Sequence, residues 1–297
     1  MKVMKPKAIH EDLSPFEEEA LQNLKNDPVV YKIISEQLHL SVAEVRLALA
    51  TLIDYQEDVH YCENCPGLEA CAKLYPKHVM TLHKEGHFVE RAFEPCKKQE
   101  KKDEASMLYA LRDFNDEWLD KDLRNVDKSA GRKEIVSLMA RIAKGESDRW
   151  IYLYGNHRSG KSFFAATFAN TLGSKAGYRG MCFCSASSLI DELKRRSFDD
   201  KKGFETMMQT LEQAPLLVLD EFGNEFKSDF VFSSILFPLI HFRAQEGKLT
   251  VFTSDFKIDE VISMYSPKIG PARAKQFNDL LLGQCKKEFD ISGAPLY

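Results

Sequence analysis

One octapeptide limits what this chain can fold into more than any other feature. Gly155-Asn156-His157-Arg158-Ser159-Gly160-Lys161-Ser162 fits G-x-x-x-x-G-K-[ST]. Its flanks are those the motif requires. Trp150 to Gly155 reads as a buried strand, and Lys161 to Ala176 as a helix. Gly155 and Gly160 let the backbone curl so that successive N–H groups point inward at phosphate oxygens. The positive end of the following helix adds to that field. On this reading the loop from Gly155 to Ser162 cradles a nucleotide and Lys161 reaches its β- and γ-phosphates. The Ser162 hydroxyl binds Mg²⁺. An eight-residue match can arise by chance, but one seated between a strand and a helix rarely does.

The second half of such a site is a carboxylate at the end of another buried strand, and Leu216-Leu217-Val218-Leu219-Asp220-Glu221 supplies it. Four apolar residues bury the strand, Asp220 emerges to hold the Mg²⁺ shell, and Glu221 is placed to polarise an attacking water. An apolar run ending in acid is common by itself; its weight comes from following the phosphate loop with room for one strand and helices between. Leu249 to Ser254 reads as a further strand, which sets Thr253, Ser254 and Asp255 beside the γ-phosphate. Capping the next helix is the alternative role for Ser254 or Asp255. Gly180 to Ala186 and Glu288 to Ile291 complete the strands, and Ser187 to Arg196 reads as a helix. Strands alternating with helices predict a parallel sheet covered on both faces, with right-handed crossovers. The fold class is α/β, and the reaction class is phosphoryl transfer to water.

The chain is 297 residues long, enough for roughly two compact units. The texture predicts a helical, metal-binding unit over 1–100, a linker or helix over 101–125, and the nucleotide-binding unit over 126–297. In the first unit Pro28 opens a helix from Val29 to about Leu38. Ser41 opens another, with Glu44 as the partner in a capping box. Val42, Val45, Leu49 and Leu52 then share one helical face, read as core rather than as a docking surface. Lys97 to Asp103 reads as a linker of mixed charge, or else as the exposed first turn of a helix.

Seven cysteines fall into two groups. Cys182, Cys184 and Cys285 are scattered and read as core. Cys62, Cys65, Cys71 and Cys96 are crowded, and in a chain with an odd count and no export signal they point to metal rather than disulfides. Cys62 and Cys65 form a tight knuckle able to take adjacent corners of a zinc tetrahedron, with Cys96 folding back as a third ligand. Cys71, His78, His83 and His87 compete for the fourth place, and His78 is favoured. Such a closed site is structural, without catalysis. Lys and Arg number 41 against 45 Asp and Glu, a net charge of −4, which excludes a histone-like protein held to DNA by bulk charge. No apolar run approaches a membrane span and the N-terminal stretch turns acidic, so the expected compartment is the cytoplasm, with no membrane partner.

With the zinc knuckle, phosphate loop and acidic strand in this order, the chain resembles the DnaI-type bacterial helicase loaders, AAA+ ATPases of the DnaC/DnaI class. The segment from Cys62 to Cys71, the spacing to Cys96, Leu153 to Ser162, Leu217 to Phe222 and Phe252 to Phe256 carry the likeness. The resemblance implies an AAA+ core without a full helical lid and ATP, Mg²⁺ and Zn²⁺ as cofactors. It also implies weak, partner-stimulated ATPase activity. The implied partners are the replicative hexameric helicase, met by the zinc domain, and single-stranded DNA, met by the ATPase domain. Other primosome or initiator proteins, and self-association on the helicase, complete the set. The implied role is loading that helicase onto single-stranded DNA in replication initiation or restart.

Three positions depart from the family pattern. Asp255 stands where the family usually has Asn, His78 falls about one residue from the family's ligand position, and Arg273 sits about one helical turn before the family's arginine pair. Arg273 is expected to reach a neighbouring subunit's ATP. Lys194-Arg195-Arg196 and Lys201-Lys202 are the candidate groove for the DNA backbone, or else a solvated helix end. Two other readings are a transposition-accessory AAA+ ATPase acting on duplex DNA and a metal-stabilised adaptor with a vestigial nucleotide site.

Overall fold

A computed structural model describes residues 15–126, 132–147, 150–175 and 177–292. The chain divides into two compact units, one ending at Lys101 and the other beginning at Lys102. The residues before Pro15, from which an export signal was excluded, and Ala176 lie outside the described residues.

The N-terminal unit packs short helices against a hairpin. Its helices are Pro15–Asn26, Pro28–Lys32 (continued by a wide turn, Ile33–Gln37), Val42–Leu47 and Leu49–Glu63. The antiparallel hairpin is β1 (His78–Glu85) with β2 (Phe88–Pro95). Leu24, Val30, Ile34, Leu52, Tyr55 and Met80 form a small core. Asp27 nails the helices together: its carboxylate caps Val29 and Val30 and also accepts from Gln56 and His60. Burial by itself raises this carboxyl, but those four hydrogen bonds outweigh it and draw the group down to about 2. The capping box of Ser41 and Glu44 forms as the sequence predicts. The apolar stripe after it does not stay on one face. The helix breaks at Ala48, so Leu52 is buried while Val42 is 68% exposed.

The C-terminal unit is built on one parallel sheet. Its strands are β3 (Tyr109–Arg112), β4 (Ile151–Tyr154), β5 (Met181–Ser185), β6 (Leu216–Asp220), β7 (Leu249–Ser254) and β8 (Glu288–Asp290), in the order β3-β5-β6-β7-β4-β8. Alternation along the strands sends side chains to two cores. Tyr152, Cys182, Cys184, Leu217, Leu219 and Phe252 share one with Cys285, so all three scattered cysteines are core residues. Ile151, Leu153, Phe183, Leu216, Val218 and Val251 share the other, with helices Lys133–Ala143 and Lys161–Gly173. Both faces are covered, as continuous apolar strands require.

Two boundaries differ from the sequence reading. Lys97 to Asp103 is not a linker but most of a helix, Lys97–Ser106. Nor does 101–125 merely connect: β3 adds an edge strand beside β5, and Phe114 and Leu119 are buried in the main core. The strand was hidden by its brevity, since four residues are too few to show a period. It is held by contacts far along the chain, among them the Tyr109 hydroxyl donating to Asn170 Oδ1 at 2.6 Å.

Candidate nucleotide site

The site stands at the carboxyl ends of β4, β6 and β7. The chain leaves β4 through Gly155 at φ +150°, where an added Cβ would lie 2.7 Å from the Ser292 nitrogen, so only glycine fits this close approach. Gly155 N–H is anchored on the Ser254 carbonyl of β7 at 3.2 Å. The loop then turns through Arg158 and Gly160, both left-handed, into helix Lys161–Gly173. No side chain caps that helix, which leaves its first N–H groups to serve an anion. The Ser159 hydroxyl is buried in the loop with no hydrogen-bond partner among the described residues. An orphaned hydroxyl within a turn of inward amides is what a phosphate cradle would use. Asn156, His157 and Arg158 form its exposed rim.

Lys161 is buried at the foot of the loop. Its ammonium donates to Gly155 O at 2.8 Å and Asn156 O at 2.9 Å, and pairs with Asp255 Oδ1 at 2.8 Å. The neighbouring Ser162 side chain lies near the Asp220 carboxylate and favours its charged form. Burial pushes the Asp220 carboxyl up, against the opposing influence of Thr253 and Ser162. The structure therefore brings together Gly155, Gly160, Lys161, Ser162, Asp220 and Asp255. A hydroxyl beside a carboxylate is the ligand pair that would hold Mg²⁺, and hard oxygen donors suit that ion. Glu221 follows at φ +56° and exposed to solvent, its N–H fixed on Thr253 Oγ1 at 2.9 Å.

The acid-bearing strand is not the immediate neighbour of the phosphate-loop strand, because β7 lies between β4 and β6. This gives Thr253 and Ser254 another task than facing the γ-phosphate. Thr253 bonds Asp220 and Glu221, while the Ser254 hydroxyl donates to Phe222 O at 2.6 Å. They stitch the acidic strand to the loop strand.

One further residue was missed by sequence reading. Glu225 is fully buried; it accepts from Gly223 N–H at 2.7 Å and from the Tyr265 hydroxyl at 2.8 Å. It thereby pins the turn that follows Glu221 to helix Ile258–Ile269. A glutamate in a polar loop looks solvated, and nothing in its local pattern announces the tyrosine forty positions on.

Arg273 is not brought to this group. Its guanidinium donates to Ile269 O at 2.8 Å, Ser233 Oγ at 2.9 Å and Asp229 Oδ1 at 2.6 Å, all within its own chain.

Residues 86–287 match the family described as IstB-like ATP binding protein. The chain belongs to that family. Among curated proteins, the replicative helicase loader DnaI of Bacillus subtilis (strain 168) is 24% identical over 225 residues, covering 73% of this chain and 71% of the relative. The resemblance to the DnaC/DnaI class of AAA+ loaders is thus shown by overall similarity as well as by motifs. A crystal structure of DnaI superposes with a TM-score of 0.53 at 23% identity, covering 60% of this chain and 94% of the other. A Streptococcus pyogenes serotype M3 protein superposes at 0.52 and 21% identity, covering 66% and 100%. These two likenesses establish the shared fold.

The chain carries a second cluster in its N-terminal unit. Cys62, Cys65, Cys71, Cys96 and His78 line one cavity of about 420 Å³, together with Lys73, Lys77 and Lys98. Lys73 donates to Cys62 Sγ at 3.3 Å, and Lys98 to Cys65 Sγ at 3.4 Å. The Gly67 N–H and then Lys98 hold the Cys65 thiol below its ordinary range. The expected set Cys62, Cys65, His78 and Cys96 does not close into a ligand sphere. Among the described residues no three His, Cys, Asp or Glu side chains stand together closely enough to grip a metal ion. His78 Nδ1 bonds Pro76 O at 2.8 Å, and the other histidines are engaged elsewhere, His87 with Glu44 and His83 with Thr81.

The basic run fares less well. Arg195 and Arg196 both pair with Glu192, and the Lys194 ammonium lies over the Phe226 ring at 4.9 Å. Two of the five basic residues are thus answered within their own helix. No helix among the described residues is long and apolar enough to cross a membrane.

Proposed function

We propose that this protein is an ATP-dependent loader that binds a replicative hexameric helicase and delivers it onto single-stranded DNA. The observation that carries the reading is the buried Lys161 at the foot of the phosphate loop, bonded to Gly155 O and Asn156 O and paired with Asp255, in a chain whose similarity to a helicase loader runs over 73% of its length. Lys161 and the N-terminal amides of its helix bind and orient the phosphates of ATP. Ser162 and Asp220 would hold Mg²⁺, which when bound supplies charge neutralisation at the phosphates. Glu221 orients the attacking water and takes its proton, held at the mouth of the site by Thr253. Hydrolysis is slow until a partner completes the site.

The N-terminal unit is the helicase-binding part, stabilised by a structural Zn²⁺. The donor chemistry fits that ion: soft thiols gathered on one cavity, one of them already inclined to ionise. Cys62, Cys65 and Cys96 would hold it with His78, or with Cys71, and the lysines would withdraw. Single-stranded DNA binds weakly to the C-terminal unit. Arg273 serves a neighbouring copy on the helicase after leaving Asp229. The protein works in the cytoplasm with other primosome components.

A pull-down with the host's replicative helicase tests the reading. Capture is expected to depend on ATP, and Lys161→Ala is expected to remove that dependence. Capture of a transposase instead of the helicase would refute it.

A further inference from the structure

The phosphate site sets one buried ammonium directly against one carboxylate, with two more acids at the end of a nearby strand. Lys161 has three N–H donors, and they go to Gly155 O, Asn156 O and Asp255 Oδ1. Two of these acceptors are neutral carbonyls of the loop itself. The third is an acid 2.8 Å away. Asp220 and Glu221 stand at the end of the adjacent strand β6.

The backbone that carries Asp255 is held in place. The residue follows directly on β7, whose last residues are tied on both sides: Gly155 N–H to Ser254 O, and Phe222 N–H to Thr253 O. Its second oxygen accepts from Asn224 Nδ2 at 3.4 Å. Burial works against its charge, but the Lys161 ammonium outweighs that cost and holds the carboxyl below its usual range. The acid is ionised at neutral pH.

This arrangement treats two nucleotides differently. A diphosphate meets the loop amides, the helix end and, at its β-phosphate, the lysine. A triphosphate adds a further anionic group at the end of the lysine's reach, where Asp255 already sits. One ammonium cannot fully satisfy two anions, and a carboxylate facing phosphate offers no donor, only repulsion. An asparagine of the same shape would offer a donor.

We propose that Asp255 sets the nucleotide preference of this site, weighting it toward the diphosphate and making triphosphate occupancy conditional on Asp255 releasing Lys161. The inference rests on the ATP-site reading above and deepens it. It turns an acid expected to assist catalysis into a residue that withholds the lysine. A partner that drew Asp255 aside would switch the site to ATP.

The test is a pair of fluorescence titrations on the full chain with Mg²⁺, using labelled ADP and a labelled non-hydrolysable ATP analogue. The wild type is expected to bind ADP about tenfold more tightly or better. Asp255→Asn removes one charge at constant shape and is expected to bring the ratio near unity, chiefly by tightening the analogue. Asp255→Ala, which removes the acid without supplying a donor, is expected to shift the ratio the same way by less; it stands in if the Asn protein does not fold. Both nucleotides binding with a ratio unmoved by either variant overturns this proposal alone. Neither nucleotide binding the wild type overturns the ATP-site reading and this proposal with it.

Discussion

The phosphate site and the cysteine cluster use similar materials, titratable side chains drawn from distant parts of the chain, and they are organised very differently. At the phosphate site every charged group stands at the end of a strand or the start of a helix. Strand pairing fixes those ends relative to one another before any side chain acts. The cysteines instead hang from the end of helix Leu49–Glu63, the loop after it and the close of the β1–β2 hairpin. Their spacing is set by the hairpin, a small core and a few loop hydrogen bonds. A rigid scaffold can preform a site for a small anion, whereas thiols on loops reach their final geometry when an ion draws them in.

Three measurements would break or sharpen that contrast. The largest effect concerns the ion. Chelation of the purified protein is expected to release one Zn²⁺ per chain and to unfold the N-terminal unit, seen as a separate calorimetric transition moving down by at least about 10 °C. Nucleotide binding should survive. Loss of both together would show the two sites to be one system.

The second concerns acid. Asp27 is drawn down to about 2 in the folded unit, below its unfolded value near 3.8. Its contribution is therefore complete above the unfolded value and lost as pH falls toward 2, a window of roughly pH 4 to 2 worth about 2 kcal/mol. Asp27→Asn should flatten the stability–pH curve of the N-terminal unit in that window and leave the C-terminal transition in place. An unchanged curve would remove Asp27 as the nail of that unit.

The smallest effect is the most local. Glu225→Gln places an amide donor against Gly223 N–H or the Tyr265 hydroxyl, and should lower kcat about tenfold through misplacement of Glu221. Affinity for ADP should stay within about twofold, and Tyr265→Phe should add little to the double variant. A parallel loss of nucleotide affinity would mean that Glu225 supports the fold and not the position of Glu221.

How much of this was legible in the sequence follows the same division. Strands β4 to β7 could be read because each is an apolar run ending in glycine, serine or acid, and the motif residues mark the ends of β4, β6 and β7. Edge strand β3 could not, being four residues stabilised by Phe183 and Asn170 from far along the chain. Helix Lys97–Ser106 was masked by charges that suit a linker equally well. The break at Ala48 is tertiary in origin, since the capping box before it and the apolar period after it each read correctly alone. At the site, the pairing of Ser162 with Asp220 followed from the motifs, but the ion pair of Lys161 with Asp255 and the anchoring of Glu225 did not. Lys161 and Asp255 were each expected to face the γ-phosphate rather than one another, and the pattern around Glu225 predicts solvation.

The strand order has one more consequence. Interposing β7 sets the strand that leads into the phosphate loop and the strand that ends in Asp220 two strand spacings apart, about 10 Å, with a third backbone ending in the gap. That middle terminus touches both sides yet belongs to neither. Substitutions at that terminus are therefore expected to reach both neighbours at once without touching the strands that flank it.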